Sequence, residues 1–279
     1  MERELLSSVL LEFQAQYEVL LPKAMGRLVH ALFLNLIAQF DEARSKQLHD
    51  EPGYRPFTIS FLQGTRTQGD YVLLRRGHLY TCRVTFLDGG TLLQRLMTHV
   101  RLDGEIPVHL GNAVLHLKRI VSTPSIDPGE WIGSTTWKTL VTLPASRLIT
   151  MRFCSPTAFS MGNRVFKLFP EPRWVWGSLL RDWNRYAPAC FQIDKQLLQE
   201  GIASTIRVAH CETLYTETLR QSLYVQKGFL GTCTYVLNDP FFAPYLTTLA
   251  AFAPYAGVGS KTTMGMGQAL VTCATNNEN

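Results

Sequence analysis

The run Gly257-Val-Gly259-Ser-Lys261-Thr-Thr-Met-Gly265-Met-Gly267 joins four glycines to one lysine. Glycines let bare backbone N–H groups approach a ligand, and with a nearby cation they make the chemistry of a phosphate site. The common nucleotide loops do not fit it. A P-loop lysine needs glycine directly before it and another five residues earlier, where Ser260 and Tyr255 stand. A dinucleotide fingerprint fails at its third glycine, replaced by Thr262, and the loop leads into the β-like run Gln268–Cys273 rather than a helix. A nucleic-acid backbone is the leading candidate for the bound phosphate. Other cations support it. Arg173, Arg181 and Arg185 recur at spacings of eight and four, so a helix would carry them on one face beside Trp176 and Trp183. Arginines interleaved with aromatics are what single-stranded RNA recognition uses. The arginines are expected to meet RNA and the tryptophans to fill core. Arg164 and Lys167, between Gly162 and Pro170, are expected in a basic β-hairpin touching the RNA.

Composition sets the frame for these residues. A chain of 279 residues can hold one large domain or two compact ones, and an apolar share of 46% is globular. The net charge of +5 and the pI near 8.9 fit an anionic partner. The six cysteines, at 82, 154, 190, 211, 233 and 273, show no CxxC and no metal spacing. They read as reduced, mostly buried small hydrophobes. The N-terminal run lacks a basic region followed by an apolar core, and no window offers a membrane helix. The expected setting is soluble and cytoplasmic, with no membrane partner.

The elements that must position the loop read as a repeated pattern. Residues 7–20 suggest a strand, and Pro22 opens a helix in which Leu28, Leu32, Leu36 and Phe40 recur at helical spacing. Val72–Leu74 and Leu79–Leu87 read as a hairpin, Thr91–Val100 as a helix and Ala113–Val121 as a fourth strand. After the Pro/Gly/Ser stretch 122–129 the pattern restarts. Arg147–Phe153 is a strand, and Glu171-Pro172 opens a helix to about Tyr186. Ile202–Leu214 pairs with Gln221–Leu237, where Gly228 and Gly231 are bulge candidates. Asp239-Pro240 starts a helix through Phe252, and Gly267–Ala274 closes as a strand. The fold class is α+β: two tandem ferredoxin-like β-α-β-β-α-β domains, 1–135 and 136–279, with a central cleft between facing sheets.

Four segments carry a resemblance spread over nearly the whole chain. They are Leu48-His49-Asp50 followed by Arg55–Ser60; Arg152–Phe159; Pro170–Pro188; and Gly228–Gly231 with the tail through Gly267. The chain resembles the CRISPR-associated repeat-processing endoribonucleases (Cas six) of the RAMP superfamily, to which the glycine-rich tail points first. The resemblance implies a metal-independent ribonuclease that cuts precursor CRISPR RNA within repeats, leaving a 5′-hydroxyl and a 2′,3′-cyclic phosphate. It implies precursor and mature CRISPR RNA as partners, with other subunits of an interference complex as further ones, and a monomer or homodimer without cofactor.

Such a cut uses the RNA's own 2′-OH as nucleophile. It needs a base for that hydroxyl, an acid for the departing 5′-oxygen and a cation for the phosphorane. Histidine suits both proton roles. His49, flanked by Asp50 and the turn Pro52-Gly53, matches the family's catalytic histidine. His30 lies in the first helix off the stripe of 28, 32 and 36, and some relatives use a second histidine from this helix. Arg55 stands where some relatives carry a catalytic lysine; an arginine holds its proton, so its part would be electrostatic. Lys261, with Gly257, Gly259, Gly265 and Gly267, is expected to grip the RNA backbone. His78, His99, His109, His116 and His210 read as surface or satisfied core, and no HExxH or DxD spacing marks a metal. Two other classes share the pattern: a non-catalytic RNA-binding RAMP subunit, and a duplicated ferredoxin-like metabolic enzyme whose loop binds a phosphorylated small molecule.

Overall fold

The structure, a computed structural model, describes residues 4–274 apart from 52, 54, 104, 124–130, 164, 222 and 223. Arg164 thus lies outside the described residues. Strand β1 (Leu5–Ala15) turns Val9, Leu11, Phe13 and Ala15 into the core by its two-residue alternation. The short β2 (Val19–Pro22) follows, so the expected strand 7–20 is divided and Pro22 ends a strand rather than opening a helix. Helix α1 (Gly26–Ala38) buries Val29, Leu32, Phe33 and Leu36. A separate helix, α2 (Glu42–Asp50), is started by Asp41, whose Oδ1 accepts from the Arg44 N–H at 3.0 Å.

The first unit continues through β3 (Phe57–Ile59), β4 (Arg66–Gln68), β5 (Tyr71–Leu74), β6 (Leu79–Phe86), α3 (Thr91–Asp103), β7 (Ile106–Leu110) and β8 (Ala113–Val121). Its main sheet runs β3-β6-β1-β8-β7, all antiparallel. β1, β3, β6 and β8 with helices α1 and α3 make the ferredoxin-like unit. The expected 72–74/79–87 hairpin does not form. β5 pairs instead with β2 and β4 in a small separate sheet, and the three buried residues of β3 take the place beside β6.

β9 (Gly133–Thr136) adds to β1, and α4 (Trp137–Val141) then enters the second core. The second unit comprises β10 (Leu148–Thr157), the hairpin β11 (Phe159–Ser160) and β12 (Phe166–Lys167), α5 (Pro172–Tyr186), α6 (Lys195–Thr205), β13 (Ile206–Gln221), β14 (Tyr224–Leu237), α7 (Ala243–Ala256) and β15 (Ala269–Ala274). Its sheet order is β13-β14-β10-β15. Ile202–Thr205, read from sequence as strand, closes α6, where Ile202 packs inward one turn from Leu198. Gly231 sits at a register shift with φ +125°, and a Cβ there would lie 2.6 Å from the Thr213 carbonyl oxygen, as a bulge glycine requires. Trp176 and Trp183 are fully buried, donating to the Leu246 and Phe191 carbonyls at 2.9 and 2.8 Å; they are core.

The two sheets meet across a polar seam. Arg83 of β6, 2% exposed, donates to the carbonyls of Trp131 and Pro254 and to Gln268 Oε1. Beside it the Thr85 hydroxyl donates to the Tyr255 carbonyl at 2.6 Å, and Gln268 reaches Thr58. Of the cysteines, all free, Cys82 and Cys233 are buried, Cys154, Cys211 and Cys273 half-buried and Cys190 exposed. Among the described residues no helix is long and apolar enough to cross a membrane.

Candidate active site in the cleft between the two units

The glycine loop is shaped by its neighbours more than by any ligand. α7 ends as Gly257 turns to φ +70°, and the loop closes where the Val258 N–H donates to the Gly267 carbonyl at 2.8 Å. A Cβ at Gly259 would fall 2.5 Å from the Ala158 oxygen, one at Gly267 2.3 Å from the Val258 oxygen, and one at Gly265 2.3 Å from the Phe61 ring. The glycine N–H groups are largely engaged inside the protein. Gly257 donates to Ala253, Gly267 to Pro156 and Gly259 to the Ser178 hydroxyl. The expectation of glycine amides bared to a phosphate is corrected at these three positions. What the loop presents instead is a 3-10 turn, Thr262–Met264, entered through Lys261 at φ +60° and left through Gly265 at φ +86°.

That turn carries the contact that organises the site. The Thr263 carbonyl lies 2.9 Å from His30 Nδ1. A carbonyl only accepts, so Nδ1 carries the proton, and in the neutral ring Nε2 keeps its lone pair. His30 is 8% exposed and stacked on Phe57 at 5.9 Å between ring centres. It is therefore not the helix-surface residue that its place off the leucine stripe implies: the loop from the second unit covers that side of α1. Burial holds its pKa below the ordinary imidazole value; the Thr263 bond opposes this, and the nearby Arg55 and His49 push the same way as burial.

His49 occupies the last turn of α2, exposed, rather than a loop after the first helix. Arg55 braces it from below. Its Nε donates to the Leu48 carbonyl at 3.1 Å and an Nη to the His49 carbonyl at 3.3 Å, so the guanidinium caps the helix end. The Arg55 carbonyl in turn accepts from the Tyr186 hydroxyl at 2.9 Å, and burial raises that phenol's pKa, which keeps it a donor. No sequence signal distinguishes Tyr186 from any aromatic at a helix end.

Arg55, Phe57 and Thr58 form one wall of a cleft of about 430 Å³; Arg181, Arg185 and Tyr186 form the other, and Gly259–Met264 the floor. Four cations, Arg55, Arg181, Arg185 and Lys261, share this lining with one carboxylate, Asp182. Asp182 takes a two-pronged bond from Arg181 at 3.0 and 2.9 Å, and Arg181 also donates to the Gly259 carbonyl. Ser178 and Arg181, one turn apart, thus grip both ends of the Gly259 residue. Arg173 is not brought here: it pairs with Glu171 at 2.8 Å and lies over Trp174 near the start of α5. Lys167 is exposed on β12, next to Phe166, over whose ring Lys261 Nζ lies at 5.8 Å. Among the described residues no group of three His, Cys, Asp or Glu is placed to hold a metal ion.

Comparison with known proteins matches both halves of this architecture. The model of the CRISPR Cas6 N-terminal domain covers residues 6–142, and that of the CRISPR-associated endoribonuclease Cas6 covers 151–269. The chain is 32% identical over 118 residues to a CRISPR-associated endoribonuclease Cas6 of Streptococcus thermophilus, 41% of this chain and 46% of the relative. It is 29% identical over 126 residues to that of Mycobacterium tuberculosis (strain H37Rv), 44% of this chain and 38% of the relative. The matched stretches thus span less than half the length of these relatives. Among solved structures, a Cas6 product complex is 28% identical with a TM-score of 0.78, and Thermus thermophilus Cas6 is 25% identical with 0.73; each comparison covers 96% of this chain and 99% of the other. An RAMP protein binding different RNA substrates, 12% identical with a TM-score of 0.61, shares the fold. With the two family models covering one half of the molecule each, the chain belongs to the family of the CRISPR-associated endoribonuclease Cas6.

Proposed function

We propose that this protein is an endoribonuclease that processes CRISPR repeat RNA by internal transfer at the scissile phosphate. The observation that carries this reading is the Thr263 carbonyl at His30 Nδ1, which orients a neutral imidazole within electrostatic reach of His49 and Arg55, beside a cleft lined by four cations. In this scheme His30 Nε2 takes the proton from the 2′-OH, whose oxygen then attacks the neighbouring phosphorus. The bond to the 5′-oxygen breaks as His49 supplies that oxygen's proton, leaving a 2′,3′-cyclic phosphate and a 5′-hydroxyl. Arg55 and Lys261 stabilise the phosphorane charge. Arg181 and Arg185 hold flanking phosphates, and Lys167 and Arg173 act further along the RNA. The reaction as drawn calls for no metal. The scheme divides the chain into domains at 135/136, each contributing one wall of the cleft.

The test is a labelled CRISPR repeat RNA incubated in EDTA with the wild type and His49→Ala, alongside a repeat carrying a 2′-deoxy at the cut. Expected are cutting in EDTA, none at the deoxy site, and a ~10²–10⁴-fold slower cut by His49→Ala with little change in binding. Loss of cutting in EDTA refutes the metal-free scheme. Binding without any cutting by the wild type replaces the enzyme by an RNA-holding subunit.

A further inference from the structure

Arg181 and Arg185 have a second side. On the flank of α5 away from the cleft, they line a hollow of about 350 Å³ together with Gly177, Asn184, Lys195 and Gln199. Gly177, Arg181 and Arg185 follow one another at four-residue spacing along α5, and Lys195 and Gln199 do the same on α6, so two helix ridges face each other across it. α6 is held in place by Asp194, which accepts from the Leu197 N–H at 2.7 Å, and by buried Leu198 and Ile202.

Gly177 is the informative residue. Glycine inside a helix is less stable than alanine, and it is normally kept where a neighbour would collide with a Cβ. Here an added Cβ would meet nothing within 4 Å. The protein's own packing therefore gives no reason for the glycine, and the space it leaves belongs to the hollow. The polar groups around that space are cations and amides. Asn184 is committed to the Ile193 backbone through both its amide atoms, and Arg181 to Asp182 and the Gly259 carbonyl, which leaves Gln199, Arg185 and Lys195 to meet a ligand. The larger hollow of about 710 Å³ near Arg44 and Arg95 differs in its lining, which includes a carboxylate, Asp88.

We propose that the hollow between α5 and α6 binds one nucleotide of the repeat RNA next to the segment in the cleft. Its phosphate lies between Arg185 and Lys195, its base sits over Gly177, and Gln199 meets the base edge. A volume of 350 Å³ suits one nucleotide-sized group, near the lower end of ligand pockets, roughly 300–1,000 Å³. This rests on the RNA-cleaving reading above and extends it to where the strand goes after leaving the cleft.

The test pairs protein variants with shortened RNA. Gly177→Leu fills the hollow with a good helix former, and Lys195→Ala removes a cation from an exposed position. Both are expected to keep or raise the melting temperature and to weaken binding of full repeat RNA by about tenfold. Single-turnover cutting at saturating RNA should stay within about threefold of wild type, because neither residue lines the cleft or acts on His30. Lys195→Ala should also reduce the slope of log affinity against log salt by ~0.7, one lost phosphate contact on a single strand. RNA trimmed one nucleotide at a time from each end should reach a length at which wild type loses the same affinity and the variants lose nothing more. Variants that bind full repeat like wild type, or that lose equal affinity on every trimmed RNA, overturn the hollow while leaving the cleavage reading intact. A wild type that neither binds nor cuts repeat RNA overturns both.

Discussion

Replacing His30 separates its structural part from its chemical one. His30→Ala removes a ring that is 8% exposed and packed on Phe57, and it leaves the Thr263 carbonyl without its donor. Truncating a buried ring costs about 3–5 kcal/mol in a well-packed site, and an orphaned buried carbonyl about 1–3 kcal/mol. Incomplete burial and relaxation of the half-buried loop turn place the total nearer about 3–4 kcal/mol. His30→Asn differs in one respect that matters: its amide N–H sits where Nδ1 sits and can still donate to Thr263, while nothing replaces the Nε2 lone pair. The expectation is therefore a split. His30→Asn should be destabilised by about 1–2 kcal/mol, well short of His30→Ala. Both should cut repeat RNA ~10²–10⁴-fold more slowly at saturating RNA, which is about 3–5 kcal/mol of barrier. Denaturant melts and single-turnover cleavage measure the two halves. The pH dependence adds a sign. Because burial lowers the folded pKa of His30, the unfolded chain takes up the proton first as pH falls. The corresponding stability is fully present above the unfolded value, about 6.5, and is lost as pH falls through the folded one. That dependence should disappear in His30→Asn, and the acid limb of wild-type cutting should lie below the same value. Cutting by His30→Asn within about threefold of wild type would refute His30 as the base, and equal stability of the two variants would refute the role of the Thr263 bond.

Two further substitutions test the supports. Lys261 holds a left-handed backbone at φ +60° on the cleft floor, so Lys261→Gly should leave stability within about 1 kcal/mol of wild type or above it, while repeat RNA binds more weakly and with a salt slope lower by ~0.7. A drop in melting temperature with unchanged affinity would make Lys261 a structural residue. Arg83→Met empties a buried seam of three hydrogen bonds and leaves two carbonyls and Gln268 Oε1 to find other partners. It should cost about 3–5 kcal/mol in a denaturant melt, whereas a loss under about 1 kcal/mol would show that the seam contributes little.

The repeated α+β pattern was legible because its long elements carry strong periodicity or firm punctuation. Ala113–Val121 and Pro172–Tyr186 come out of the sequence with their observed bounds, the second because Pro172 can start a helix but not continue one. The errors have physical causes. β3 has three residues, all buried, and so shows no alternation, which left β5 to be taken as the partner of β6. α2 carries mostly polar residues and buries only Ser45 and Leu48, too few for a stripe. Chemistry restricts the residue type at some positions, and there the sequence and the structure can be compared directly: Arg55, Arg181, Arg185 and Lys261 line one cleft, and Arg55 and His49 act electrostatically on His30. Tyr186, Thr263 and Arg83 were invisible, because a hydroxyl, a backbone carbonyl and one arginine among many acquire their parts only from what folds against them. Arg173 does not line the cleft, since eight residues of helix turn its side chain some 80° from that of Arg181.

The glycine loop marks where the two units depend on each other. His30 belongs to the first unit and Thr263 to the second, so the imidazole is oriented only when the two sheets are docked. The docking itself is polar: Arg83, Thr85 and Gln268 each bond across the seam, and opening it would expose a buried guanidinium's acceptors one by one. Polar seams of this kind tolerate little sliding, because each bond is lost over a few tenths of an ångström and several share the same atoms. The glycines serve that precision. At Gly259, Gly265 and Gly267 a single methyl would have to displace a carbonyl or a ring at 2.3–2.5 Å, and the turn carrying Thr263 lies between them. Their conformational freedom is thus converted into a fixed carbonyl position, and the fixed carbonyl into one tautomer of one histidine. A loop read from sequence as a phosphate cradle thus also holds the carbonyl that fixes the His30 tautomer, with Lys261 beside it on the cleft floor.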